Sequence, residues 1–278
     1  MAKRLAPAMD DGTHVLNMAY NLLAGGKRLE DLELLRNNEV YLNCLDAERI
    51  LDPMTAGDFC RRFDEYHIHQ LMDAINEVRL KVWQHQPESF FEEAVIDVDG
   101  TLVPTCGQCK EGIGLAYNGT WGYHVLVMTL ANTGEVLYIM NRSGERPSNE
   151  HAWKYLDKAA ELCHRAGFKR ITFRGDTVFS QTAHLDRWDK KGYRFIFGMD
   201  ASPTLVEKAE ELPQQWWNPL EREPKYTVKT RPRHRPENVK DRIVKAKALL
   251  NLRLRSEDVS DFAHQPTKRS QVYQIVAL

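Results

Sequence analysis

Apolar residues recur at helical spacing through residues 14–86 and at strand spacing beyond them. In "HVLNMAYNLLAGG", Val15, Leu16, Ala19, Leu22 and Leu23 predict one helical stripe, ended by Gly25-Gly26. "RLEDLELLRN" repeats the pattern with Leu29, Leu32 and Leu35. After Asp52-Pro53, Thr55 is placed to cap a helix over "AGDFCRRF". Ile68, Leu71, Met72, Ile75, Val78, Leu80 and Val82 then mark a longer helix ending near Pro87.

From Phe91 the character changes. "AVIDVDGTLV" predicts a strand, and "WGYHVLVMTLANTGEVLYIMN" predicts a hairpin turning at Asn132-Thr133-Gly134. Ser148 is placed to cap a helix that runs to Gly167, with Ala152, Tyr155, Leu156, Ala159, Leu162, Cys163 and Ala166 inward. "RITF" predicts a short strand ending at "RGDT". A helix over about Gln181–Lys191 and the strand "YRFIFGM" follow. Residues 205–270 break the pattern with prolines, Trp216-Trp217 and a basic run, and "VYQIVAL" predicts a last strand.

Composition narrows the setting. The net charge of −1 names no partner, so any electrostatic footprint must be local. No apolar run approaches the roughly 20 residues of a membrane helix, and the first residues lack a signal-peptide core. The cysteines (Cys44, Cys60, Cys106, Cys109, Cys163) are scattered and odd in number, which suits a reducing cytoplasm better than a disulfide framework. Cys106 and Cys109 have metal-knuckle spacing, but no second ligand pair lies at a matching spacing.

The chemistry concentrates in carboxylates at strand ends. Asp97 and Asp99 are two apart and so share a face of a strand too apolar to be an edge. Asp176 again follows a short apolar strand. With Thr101 and Thr177 nearby, Asp99 and Asp176 suggest a magnesium site. The bland alternative is that Asp97 or Asp176 caps a turn or pairs with a cation such as Arg174. "DVDGTLV" also matches the first motif of haloacid-dehalogenase-like phosphohydrolases, in which Asp97 would be the nucleophile and Asp99 the acid/base. Against that stand the late position of the motif, Ser180 where a further distal Asp is expected, and the hairpin after "DGTLV". A strand, an antiparallel hairpin, then helix–strand–helix–strand is the ribonuclease-H-like order, not that of a doubly wound parallel sheet.

Over nearly its whole length the sequence resembles the DDE-type transposases of bacterial insertion sequences. The likeness is carried by "IDVDGTLV", "CKEGIGLAYNGTWGYHVLVMTLANTGEVLYIMNRSGERPSNE", "RGDTVFSQTAHLDRW" and "VKTRPRHRPENVKDRIV", with "HVLNMAYNLLAGG" and "TAGDFCRRF" upstream. It implies an α/β fold: a ribonuclease-H-like mixed sheet with flanking helices, after a small helical domain and before a partial β-rich insertion. The expected divisions are 1–88 (helical, a candidate DNA-binding region), 89–204 (first part of the catalytic core) and 205–278 (basic insertion and the start of the remaining core). The resemblance further implies two Mg²⁺ ions held by Asp99 and Asp176, with Asp97, Thr101 and Thr177 beside them, and transesterification at transposon ends. The family's third acid, a glutamate on a helix beyond a strand like "VYQIVAL", has no counterpart before Leu278. Glu237 and Asp241 precede that strand. The expectation is a polypeptide inactive by itself, with a non-catalytic DNA-binding remnant as the other outcome.

Between Arg222 and Lys247 ten basic residues face three acids. Such a cluster neutralises phosphates, which points to double-stranded DNA and to Arg222, Lys225, Lys229, Arg231, Arg233, Arg235, Lys240 and Arg242 as contacts. Pro232 and Pro236 favour an extended course through "RPRHRP". Arg61-Arg62 is a weaker candidate, and residues 55–86 leave a helix–turn–helix open. Trp216-Trp217 suits packing more than base stacking, and His124 reads as a structural strand residue. Assembly of several copies on DNA and a bacterial, nucleoid-associated location complete the expectation.

Overall fold

A computed structural model describes residues 11–44, 50–107, 110–220 and 257–278. The chain divides into two compact units, Met1–His85 and Gln86–Leu278. The basic run from Arg222 to Arg242, with all eight expected DNA contacts, lies outside the described residues, as do Glu237, Asp241 and Cys109.

The first unit is helical: α1 (Asp11–Leu23), α2 (Leu32–Leu35), α3 (Glu39–Cys44), α4 (Pro53–Cys60) and α5 (Glu65–Trp83). Leu32, Ile50 and Ala56 are buried together, with Leu29, Leu35, Tyr41 and Leu42 against them. The inward face of α1 differs from the apolar stripe. His14, Asn17 and Asn21 are buried, whereas Val15, Leu16, Leu22 and Leu23 are exposed. The polar face is partly satisfied locally, while His14 Nδ1 and Asn21 Oδ1 are buried without a hydrogen-bond partner. His14 stacks on Phe59 with ring centroids 4.2 Å apart, Asn17 donates to the Thr13 carbonyl, and Asn21 donates to that of Arg28. Asp52, not Thr55, caps α4 by accepting from the Thr55 N–H, with Pro53 at the first helical position.

The second unit is built on a six-stranded mixed sheet of β1 (Ala94–Pro104), β2 (Gly114–Leu115), β3 (Trp121–Leu130), β4 (Glu135–Met140), β5 (Ile171–Gly175) and β6 (Arg194–Phe197). The main path is β2-β3-β1-β5-β6, and β4 also pairs with β3. β3 runs antiparallel to β1 and β4, whereas β5 is parallel to both β1 and β6. This is the ribonuclease-H-like order, and the antiparallel β1–β3 pair is incompatible with a doubly wound phosphohydrolase sheet. Gly134 turns the β3–β4 hairpin at φ +75°, a conformation that favours glycine.

Strand alternation sorts the residues of β1. Ala94, Ile96 and Val98 are buried, while Asp97 and Asp99 take the other face. Helix α6 (Ala152–Ala166) packs on β1, β3, β4 and β5, with Leu156, Ala159, Ala160 and Cys163 buried. Its cap is His151, at φ 57°, and not Ser148. The helix expected from Gln181 is shorter: α7 (Leu185–Lys190), preceded by 3₁₀ turns at Thr177–Phe179 and Thr182–His184. Local hydrogen bonds compete with helix there. Asp176 accepts from the Val178 N–H, and the Ser180 hydroxyl donates to the Thr177 carbonyl. Trp188 of α7 is fully buried and meets Phe173 edge-on, centroids 5.0 Å apart.

After α8 (Pro203–Glu210), strands β7 (Asn218–Leu220), β8 (Glu257–His264) and β9 (Tyr273–Ala277) form a separate antiparallel sheet. "VYQIVAL" is thus a strand, but it extends the smaller sheet instead of resuming the main one. Asp186 of α7 ties the smaller sheet to the core by accepting from the Ser270 N–H and hydroxyl and from the Tyr273 hydroxyl. Among the described residues no helix is long and apolar enough to cross a membrane.

Candidate functional site

β1 and β5 are in register at Asp97–Arg174 and Val98–Gly175. The next residues are Asp99 on β1 and Asp176, just past the end of β5. The two acids therefore stand side by side at the same end of adjacent parallel strands, which are roughly 4.8 Å apart. Both are exposed. One oxygen of Asp99 accepts from the Gly100 N–H at 2.7 Å, and one of Asp176 from the Val178 N–H at 3.0 Å. Asp97 is used differently. Both its oxygens accept from Arg174, each at 2.6 Å, in a bidentate pair. Thr101 is exposed on the Asp99 face, and Thr177 opens the turn that Asp176 caps.

The loop from Asn141 to His151 reaches both strand ends, a feature that motif spacing did not reveal. Arg142 is its clamp. Its guanidinium donates to four backbone carbonyls, those of His124, Pro147, Ser148 and Glu150, at 3.0–3.2 Å. Partial burial lowers its pKa, with Glu150 opposing the shift. His124 is 3% exposed. Its Nδ1 lies 2.9 Å from the Arg146 carbonyl, which can only accept, so Nδ1 donates there, and its Nε2 bonds the Ser148 hydroxyl at 2.9 Å. Ser148 and His124 press on Gly100. A Cβ there would lie 2.9 Å from His124 Nε2 and 3.0 Å from Ser148 Oγ, so the residue after Asp99 must be small. On the other side, Gln181 donates to the Asn149 carbonyl beyond Asp176. The signal for this arrangement was present as "DGT" and "RPSNE", but Ser148 looked like a helix cap.

Aspartate oxygens are hard donors, the type that magnesium takes. Asp99 and Asp176 fit such an ion in kind and would supply two ligands. Among the described residues, no group of three or more His, Cys, Asp or Glu side chains is placed to hold a metal. Cys106 is exposed and unpaired with another cysteine. The weaker nucleic-acid candidates are occupied: Arg61 pairs with Asp58, and Arg62 pairs with Asp11 and lies over the Phe59 ring at 4.6 Å. Trp217 lines an apolar cavity of about 650 Å³ with Phe195, Phe197, Leu205 and Phe262, a space that includes neither Asp99 nor Asp176.

A family model described as "Transposase DDE domain group 1" matches residues 10–244. The chain belongs to this family. Both acid-bearing strands lie inside the matched region. No curated protein matches the chain. Among solved structures, the piggyBac transposase synaptic complex with hairpin DNA is 15% identical with a TM-score of 0.39, covering 77% of this chain and 48% of that one. The catalytic domain of Mos1 mariner transposase is 15% identical with a TM-score of 0.26, covering 51% and 66%. The Mos1 paired-end complex with Mg is 11% identical with a TM-score of 0.22, covering 70% and 60%. The DDE-domain chain thus spans about half of the piggyBac transposase and at most about two-thirds of these Mos1 chains.

Proposed function

We propose that this DDE-domain chain is a DNA transposase that cuts and joins strands at transposon ends, with Asp99 and Asp176 as its catalytic acids. The observation that supports the proposal is the β1–β5 register, which brings Asp99 and Asp176 to the same end of neighbouring strands. They would hold Mg²⁺, which when bound activates a water or 3′-hydroxyl and stabilises the leaving oxygen. Asp97, neutralised by Arg174, steadies the strand instead of reacting. The loop clamped by Arg142 fixes the backbone beside Asp99 through Ser148 and His124. In this proposal residues 89–204 supply the core, 1–88 a helical DNA-binding region, and Arg222, Lys225, Lys229, Arg231, Arg233, Arg235, Lys240 and Arg242 contact phosphates. Two carboxylates hold a divalent ion weakly, so low activity is expected of this polypeptide unless a third acid joins them. A bacterial insertion-sequence origin and a nucleoid location belong to the same proposal.

The test uses a duplex bearing the ends of the element that encodes the chain, with Mg²⁺ or Mn²⁺. Metal-dependent nicking lost in both Asp99→Asn and Asp176→Asn, and retained in Asp97→Asn, supports the assignment. Hydrolysis of a phosphomonoester that depends on Asp97 overturns it in favour of a phosphohydrolase. Salt-sensitive end binding without nicking under any condition reduces the chain to a DNA-binding protein.

A further inference from the structure

The loop that reaches both strand ends carries a side chain with nothing to hold. Ser148 is bound to His124, and Glu150 is paired with Arg146. Asn149, between them, differs. It is half-buried, its amide is open to solvent, and among the described residues no group bonds that amide. Its backbone, by contrast, is held from two sides. The Asn149 carbonyl accepts from the Gln181 side chain at 2.9 Å and from the Ala152 N–H at 3.1 Å. Arg142 grips the Ser148 carbonyl just before it.

Position decides what the free amide can meet. The Ser148 Cβ stands 3.0 Å from the place a Cβ on Gly100 would take. The Asn149 Cα therefore lies within about 10 Å of the Gly100 Cα. Gln181, which holds the other side, follows the turn that Asp176 caps. Asn149 thus sits beside the acid pair on a fixed backbone. Its chemical type suits an anion bound next to those acids. A lysine or arginine there would pair with Asp99 or Asp176 and compete with a divalent ion, and a carboxylate would repel a phosphate. A neutral amide offers two N–H donors to an anionic oxygen and leaves both aspartates free. Asparagine is among the side chains that proteins set on DNA phosphates.

We propose that Asn149 is a substrate-binding residue, its side-chain amide donating to a non-bridging oxygen of the DNA phosphodiester on which the acid pair acts. The inference rests on the DNA-cutting reading of that pair and adds a contact to it. The bond is charge-assisted and forms only with substrate present, so it contributes to binding DNA and not to folding.

The test is fluorescence anisotropy on the full chain in Ca²⁺, with a duplex bearing the end of the element that encodes it. A second duplex carries a neutral methylphosphonate at the junction between element and flank, which removes the anionic oxygen. Asn149→Ala should weaken binding of the natural duplex about tenfold, and Asn149→Asp should weaken it further. Both variants should melt at the wild-type temperature. On the methylphosphonate duplex, wild type and Asn149→Ala should bind alike. Equal affinity of wild type and Asn149→Ala for the natural duplex, or an equal loss on both duplexes, overturns the proposal. A lowered melting temperature in Asn149→Ala assigns the amide to the fold and overturns it as well. Failure of the wild type itself to bind the natural duplex is a separate result, which removes the transposase reading and this contact with it.

Discussion

Replacing Arg142 by lysine keeps the charge and removes the geometry. The guanidinium reaches four carbonyls in three directions, at 3.2 Å from Nε, 3.1 and 3.0 Å from Nη1, and 3.1 Å from Nη2. A lysine ammonium is a single point on a flexible stem and can satisfy about one of these acceptors in place. Net hydrogen-bond contributions centre near 1 kcal/mol. Charged donors exceed that, and a half-buried group falls back toward it as water replaces lost partners. Three lost bonds therefore cost about 3 kcal/mol. For a unit of this size each kcal/mol moves Tm by roughly 2–4 °C, so Arg142→Lys should melt about 6–12 °C lower. Urea denaturation gives the free energy directly, and hydrogen exchange should show faster exchange in residues 143–151. Wild-type stability within about 0.5 kcal/mol, with loop protection unchanged, would refute the clamp.

Gly100→Ala introduces no strained φ but sets a Cβ 2.9–3.0 Å from His124 and Ser148; overpacking of this kind costs about 1–3 kcal/mol. Ser148→Gly in the same chain should recover part of that loss by thermal melting. Asp97→Asn breaks the bidentate pair with Arg174; both groups are partly exposed, so a loss of no more than about 1 kcal/mol is expected in urea. Asp186 has its pKa lowered to about 2, first by the Ser270 N–H and then by the Tyr273 hydroxyl. Its folded value lies below its unfolded one, so its bonds stabilise the small sheet above about pH 4 and that contribution fades as pH falls toward 2. Near-ultraviolet circular dichroism through this acid range should show the change, and Asp186→Asn should flatten it.

Period-two and period-3.6 patterns located β1, the β3–β4 hairpin, α6, β5 and β6, because each buries an apolar face that hydropathy can report. The same logic misplaced the face of α1. There the buried groups are His14, Asn17 and Asn21: the His14 ring stacks on Phe59, and the Asn17 and Asn21 amide nitrogens donate to nearby carbonyls. On α5, spacing shows that Ile68, Leu71, Ile75 and Val78 share a stripe but not which face is covered: Met72, Asn76 and Trp83 are buried and that stripe is exposed. Ser148 and Asp52 show the limit at helix starts. Serine before a helical run is a good cap by propensity, yet His124 takes its hydroxyl. Thr55 was the expected cap, but Asp52 accepts from its N–H. The Arg142 network joins residues across Asn141–His151 to β1, β3 and the turn after β5, and no local pattern encodes such contacts.

The different surroundings of Asp97 and Asp99 follow from register more than from residue type. Both are aspartates on the same face of the same strand. Asp97 lies opposite Arg174, and the bidentate pair occupies both of its oxygens. Asp99 lies one pleat further, where β5 has ended, and its neighbour is Asp176. If β5 slid by two residues along β1, Arg174 would meet Asp99, and Asp97 would be released toward the interior of the sheet. Which aspartate of "DVDGT" pairs with Arg174 therefore depends on where "RITFRGD" stops. Gly175 ends the strand directly before the second acid, and the Asp176-capped turn prevents the pairing from continuing. An acid pair of this kind is a property of two segments more than seventy residues apart in sequence, fixed by the parallel ladder between them.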